Sequence, residues 1–96
     1  MFDDDRVFKA LADPTRRFLL DLLFQRDGRT LTELESELEM TRFGAMKHLR
    51  VLEDAGLVRH ERRGRTRVYT VDKSRLTLVS EWLSWFEPPP PVDGGA

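Results

Sequence analysis

The chain has 96 residues, no cysteine and a formal net charge of −1. That length makes one small domain with a modest core, and the missing thiols exclude disulfides and thiolate metal sites. No apolar run reaches the length of about 18 residues that a transmembrane helix needs, and MFDDDRVFK is acidic and amphipathic, unlike a signal peptide. A cytoplasmic protein is the expectation.

Asp3 to Ala12 reads as a helix, with three aspartates at the end where the helix dipole favours them. Val7 pairs with Leu11 and Phe8 with Ala12, each at i, i+4. Asp13 is a cap and Pro14 suits a first helical position, where a missing N–H costs nothing. The second helix runs to about Arg26, with Phe18, Leu19, Leu22 and Leu23 as its buried stripe, and Asp27-Gly28 ends it. Arg16 and Arg17 near its start read as a solvated face rather than as phosphate contacts. Thr32 to Leu38 is a short helix, with Thr32 and Glu35 in the pattern of a capping box.

Only Glu39 and Met40 separate that helix from Thr41, an N-cap residue. Thr41 to Gly56 then forms one amphipathic helix, closed by the glycine. Ala45, Leu49 and Leu52 line one face, and Phe43, Lys47 and Arg50 the opposite one, flanked by Met46 and Gly44. Cations mixed with a Phe, a Met and a Gly that allows close approach suit docking into an anionic surface with apolar features. The DNA major groove is such a surface, with phosphates for the cations and thymine methyls for the apolar groups. Two helices joined so tightly make a helix-turn-helix, whose second helix enters the groove. Residues 57–71, LVRHERRGRTRVYTV, alternate and carry one central glycine, which predicts a β-hairpin turning near Arg63-Gly64 and completes a winged helix.

Charge is sorted along the chain. Residues 42–67 hold eight Lys or Arg against three acids, whereas residues 27–40 hold one Arg against five acids. The positive part coincides with the helix and the wing that would meet DNA.

Asp72 to Phe86 is the last predicted helix, capped by Asp72 or Ser74. It has two apolar stripes, Leu76, Val79, Leu83 and Phe86 on one and Leu78, Trp82 and Trp85 on the other. A small domain needs one stripe for its own core. The second requires a cover, and the simplest is the same helix of a second copy about a two-fold axis. Which stripe faces the partner is left open. From Glu87 the sequence EPPPPVDGGA builds neither helix nor core and is expected to be a mobile tail.

Signals for catalysis are few. There is no glycine-rich phosphate loop and no H-E-x-x-H, and His48 and His60 are the only histidines. Both are expected to pack or to hydrogen-bond rather than to ligate a metal.

The segments VFKALADPTRRFLLDLL and LTELESELEMTRFGAMKHLRVLEDAGLV, followed by the basic hairpin, resemble the ArsR family of bacterial winged-helix repressors from about Val7 to Phe86. ALADPTR and KHLRVLEDAGLV are the most specific parts. The resemblance implies dimeric operator binding released by a metal or another signal, and dimerisation through the last helix with help from the first. Metal-sensing relatives place cysteines on the helix before the turn, where this chain has LTELESELEM, or His and Asp pairs on the last helix, where it has Asp72 and Glu81 but no His. No metal and no cofactor is therefore expected. Many relatives carry small polar residues at the positions of Met46 and often Phe43, so base readout here falls either to thymine-methyl contacts or to Arg42, Lys47 and Arg50.

The expected fold is mainly α with a small β-hairpin wing: five helices, dimerising through the terminal ones, with a working domain over 1–87 and a Pro/Gly-rich tail over 88–96. The expected DNA contacts are Thr41, Arg42, Phe43, Gly44, Met46, Lys47, His48 and Arg50 on the recognition helix, and Arg62, Arg63, Gly64, Arg65 and Arg67 on the wing. The expected dimer interface is Val7, Leu11, Leu76, Val79, Trp82, Leu83 and Phe86. The partners are double-stranded operator DNA and a second copy, with no membrane and an unassigned inducer. The competing expectations are a winged-helix protein-interaction module, or the dimerising front end of an enzyme. The latter is poorly served by a chain that stops soon after its last helix.

Overall fold

Asp13 and Pro14 set the first break. The computed structural model describes residues 3–86, and in it α1 (Asp3–Leu11) gives way to α2 (Pro14–Gln25) across Ala12 and Asp13. The Asp13 carboxylate accepts from the Arg16 amide at 3.1 Å, capping α2. Arg17 is exposed, as the sequence predicts, and Arg16 is half-buried, and both also bond backbone within the protomer. Arg16 donates to the carbonyls of Ala10 and Lys9 at 2.7 and 3.0 Å, and Arg17 to that of Leu11 at 2.8 Å. These carbonyls lie at the C-terminal end of α1, where the last turn leaves acceptor capacity and positive charge is also favoured; that of Lys9 also accepts from the Ala12 amide. The two guanidiniums therefore fasten α1 to α2.

On α2 the buried residues are Leu19, Leu20, Leu22 and Leu23. Phe18, predicted to be buried, is 39% exposed. The helix packs against α1 on one side and against later elements on others, so its buried arc is broad. At about 100° per residue, Leu20 falls inside that arc and Phe18 on its edge.

The next element, β1 (Arg29–Thr30), has no counterpart in the sequence reading. Thr30 also caps α3 (Leu31–Ser36). The Glu33 amide donates to the Thr30 hydroxyl at 3.0 Å, and the Thr30 amide to the Glu33 carboxylate at 2.8 Å. The capping box is thus Thr30–Glu33 and not Thr32–Glu35. Both frames satisfy the motif, but the observed one sends Leu31 and Leu34 into the core.

Thr41 caps α4 (Arg42–Asp54) as expected, its hydroxyl accepting from the Gly44 amide at 3.1 Å. The helix ends in a Schellman arrangement. Gly56 has φ +78°, its amide bonds the Glu53 carbonyl, and the Leu57 amide bonds the Leu52 carbonyl, both at 2.9 Å. Ala45, Leu49 and Leu52 are buried as predicted.

The wing is β2 (Val58–Arg63) and β3 (Thr66–Val71), paired antiparallel from Val58↔Val71 to Arg63↔Thr66. Gly64 and Arg65 form the turn. Gly64 has φ +63° and Arg65 does not share the positive φ, as in a type II′ hairpin. β1 adds to β3 through Arg29↔Tyr69 and Thr30↔Val68, making a three-stranded antiparallel sheet of order β1-β3-β2. The Asp27 carboxylate accepts from the Val71 amide at 2.9 Å and ties the base of the wing to the end of α2.

The continuous last helix predicted over 72–86 is broken. Asp72 caps a 3₁₀ turn, Lys73–Leu76, which leads into α5 (Thr77–Ser84). The two predicted stripes do not divide by face either. Leu76, Leu78 and Val79 pack against the core, while Trp82, Leu83, Trp85 and Phe86 are exposed. The division runs along the helix, because only its first half lies over the body of the domain. Trp82 meets Phe8 of α1 edge-on at 5.5 Å between ring centroids, and Phe86 at 4.8 Å. Val7, expected at the interface, is fully buried in its own core, and Leu11 packs against that core. The tail, 88–96, lies outside the described residues.

Candidate nucleic-acid interface

The outward face of α4 carries Phe43, Lys47 and Arg50, all exposed, as the 3.6-residue period requires. Their partners differ. The Lys47 ammonium stands 5.5 Å from the centroid of the Phe43 ring, a cation–π contact. Arg50 lies 3.8 Å from Asp54, one turn on. Arg42 pairs with Glu35 at 2.8 Å and approaches the Thr32 hydroxyl at 3.5 Å. It braces α3 against α4 across the turn. Among the described residues no carboxylate pairs with Lys47, which leaves it the best-placed cation of this helix.

Other predicted recognition residues serve the fold. Met46 is half-buried and packs against the core. A Cβ on Gly44 would come within 3.3 Å of the Met40 sulfur and 3.5 Å of the Thr41 hydroxyl, so its small size serves the turn. His48 faces the α1–α2 junction rather than outward. Its Nδ1 lies 3.4 Å from the Arg16 guanidinium and 3.8 Å from the Asp13 carboxylate. Burial raises the Asp13 pKa, but the Arg16 amide and the charges of His48 and Arg16 outweigh it and hold the carboxyl below its usual range.

The wing is positioned by its own contacts with α4. His60 of β2 bonds Glu53 of α4 and tilts over Tyr69 of β3 at 5.3 Å. Burial pushes the Tyr69 phenol up, and its oxygen accepts from Arg67 at 3.3 Å. Arg63 is held by Glu61 at 2.7 Å. Arg62 and Arg65 have no carboxylate partner among the described residues. Arg62 and Arg67 stand directly opposite each other in the strand register. Arg42, Arg62, Arg65 and Arg67 together line one hollow between the recognition helix and the wing, floored by Leu31 and Met46. Like charges in direct register are unfavourable unless an anion lies among them, and a DNA phosphate has the charge and acceptor oxygens for that position.

Sequence reasoning listed the cations of the helix and the wing but not the carboxylates that hold the elements around them in place. Glu35, Glu53, Asp13 and Asp27 act between separate elements, and no local spacing signals such pairs. Among the described residues no three of His, Asp and Glu converge as a metal site would require, and no helix is long and apolar enough to cross a membrane.

A helix-turn-helix domain family matches residues 11–61. The chain is 44% identical to the HTH-type transcriptional regulator YuzN of Bacillus subtilis, across 82% of this chain and 94% of that one. The crystal structure of an ArsR family transcriptional regulator superposes with a TM-score of 0.81 at 37% identity, covering 88% of this chain and 86% of that one. The solution structure of a homodimeric winged helix-turn-helix DNA-binding domain from Mycobacterium bovis gives a TM-score of 0.71 at 30% identity, covering 85% and 78%. The capped recognition helix, the arginine-rich wing braced against it and these likenesses agree, and the chain belongs to the ArsR family of DNA-binding winged helix-turn-helix transcriptional regulators.

Proposed function

We propose that the chain works as a homodimeric repressor in the cytoplasm, with residues 1–87 as the working unit and no catalytic role. Each protomer seats α4 in a major groove of an inverted-repeat operator and lays its wing on the flanking backbone. The observation that carries this reading is the arginine-lined hollow beside α4, where Arg62 and Arg65 lack carboxylate partners among the described residues and Arg62 opposes Arg67. Such a surface is complete only with a polyanion against it.

Support for the dimer comes from the far end of the molecule. Trp82, Leu83, Trp85 and Phe86 form an apolar patch that is exposed among the described residues, and the Mycobacterium bovis relative is homodimeric. A two-fold pairing there sets two recognition helices about one DNA turn apart, roughly 34–36 Å. Occupancy of both half-sites then blocks a promoter that overlaps them. Selection from a random-sequence duplex pool should enrich an inverted repeat, bound by one dimer in sedimentation. Enrichment of no sequence, or of a single half-site bound by a monomer, defeats this reading.

A further inference from the structure

Phe43 is 71% exposed on the first turn of α4, on the face proposed above to meet DNA. Its one ring contact among the described residues is the Lys47 ammonium at 5.5 Å. An apolar ring in that place contributes nothing to the protomer core, and on the first turn of α4 it has no polar atom with which to cap the helix. Its neighbours fix the kind of surface that covers it. Lys47 and Arg50 share its face, and Arg42, Arg62 and Arg65 stand across the adjacent hollow, so the occupant is a polyanion. The apolar feature that a DNA major groove presents is the 5-methyl group of thymine.

We propose that Phe43 reads a thymine methyl in each half-site, with Lys47, drawn to the ring face, reaching the polar edge of the adjacent base pair. The contact discriminates by a single carbon, since cytosine offers an amino group and no methyl at the equivalent edge. The pairing also keeps the flexible lysine near its target before binding, which lowers the entropy lost when it docks. This inference rests on the reading of α4 as the major-groove helix and adds to it a base and the side chain that selects it.

The test uses the intact protein and the duplex enriched from the random pool. Thymines of the half-site are replaced one at a time by deoxyuridine, which removes the methyl and keeps the base pairing. Affinity is read by fluorescence anisotropy for the wild type and for Phe43→Ala. One position should weaken wild-type binding about fourfold when changed in one half-site, and about fifteenfold when changed in both, from the transfer free energy of one buried carbon. The same duplexes should bind Phe43→Ala with equal affinity, and an exposed ring can be removed without disturbing the core, which circular dichroism verifies. Indifference of the wild type to every thymine methyl overturns the inference, as does equal sensitivity in Phe43→Ala. Either result leaves the repressor reading standing if the enriched duplex still binds. A pool that enriches nothing removes both.

Discussion

The arginines of the wing should separate binding from folding. In the double variant Arg62→Gln, Arg65→Gln, each protomer loses two cations that have no carboxylate partner among the described residues, so a dimer on its operator loses four. Each lost phosphate contact lowers the slope of log affinity against log salt by about 0.9 on B-DNA, giving a change of about 3.6. Between about 50 and 200 mM salt, the wild type should then lose roughly 150-fold more affinity than the variant loses. Stability should move the other way. Arg62 faces Arg67 across the hairpin, and removing one of two like charges in direct register relieves roughly 0.2–1 kcal/mol. The single variant Arg63→Gln serves as the control. Arg63 is already held by Glu61, and its slope change should fall well below the value of about 1.8 that one full phosphate contact per protomer would give. Anisotropy titrations at four salt concentrations give the slopes, and thermal unfolding followed by circular dichroism gives the stabilities. An unchanged slope in the double variant, or an equal change per cation removed in Arg63→Gln, refutes the assignment of the hollow to phosphate.

Trp85 is 84% exposed, so Trp85→Ala should give a folded protomer that sediments as a monomer and loses operator affinity. Leu78→Ala, which trims a side chain packed on the core, should instead lower the melting temperature. Gly56 and Gly28 both have positive φ, +78° and +77°. Gly28→Ala should cost about 1–2 kcal/mol from backbone strain; Gly56→Ala should cost more, because its Cβ would also lie 3.1 Å from the Arg75 guanidinium, and urea unfolding measures both. The Thr30 amide, followed by Arg26, lowers the Glu33 pKa. Its contribution to stability is therefore present above the ordinary carboxylate range and lost as pH falls through the lowered value. Melting temperatures across the acid range should show a flatter decline in Glu33→Gln, and an identical decline would refute the capping box as its source.

The legible parts of the fold are those in which one residue type has one local use. Thr41, Gly56, Gly64 and the Asp13-Pro14 pair each announce a cap, a stop, a turn or a start, and each does so in the structure. The capping box was misplaced because the same motif recurs two residues apart, and only the burial of Leu31 and Leu34 selects the frame. β1 escaped notice since two residues carry no period. On the recognition helix, periodicity gave the correct outward face, but it could not show that Arg42 and Arg50 have acidic neighbours while Lys47 has an aromatic one. His48 turned inward for the same reason. Its partners, Asp13 and Arg16, are distant in sequence and come near only through packing. The last helix has apolar residues on two faces, and the sequence cannot tell that its first half lies over the core while its second half projects past it.

The pairing of β1 with β3 has a kinetic consequence. Thr30 meets Val68, and everything from Leu31 to Arg67, including both helices of the helix-turn-helix, lies within the loop that this contact closes. The β2–β3 hairpin is local and can form early, but the third strand adds only after that whole loop has been drawn together. During synthesis the pairing cannot form until β3 has emerged. The helices inside the loop can form locally, whereas the edge strand that joins the wing to the start of α3 is completed last.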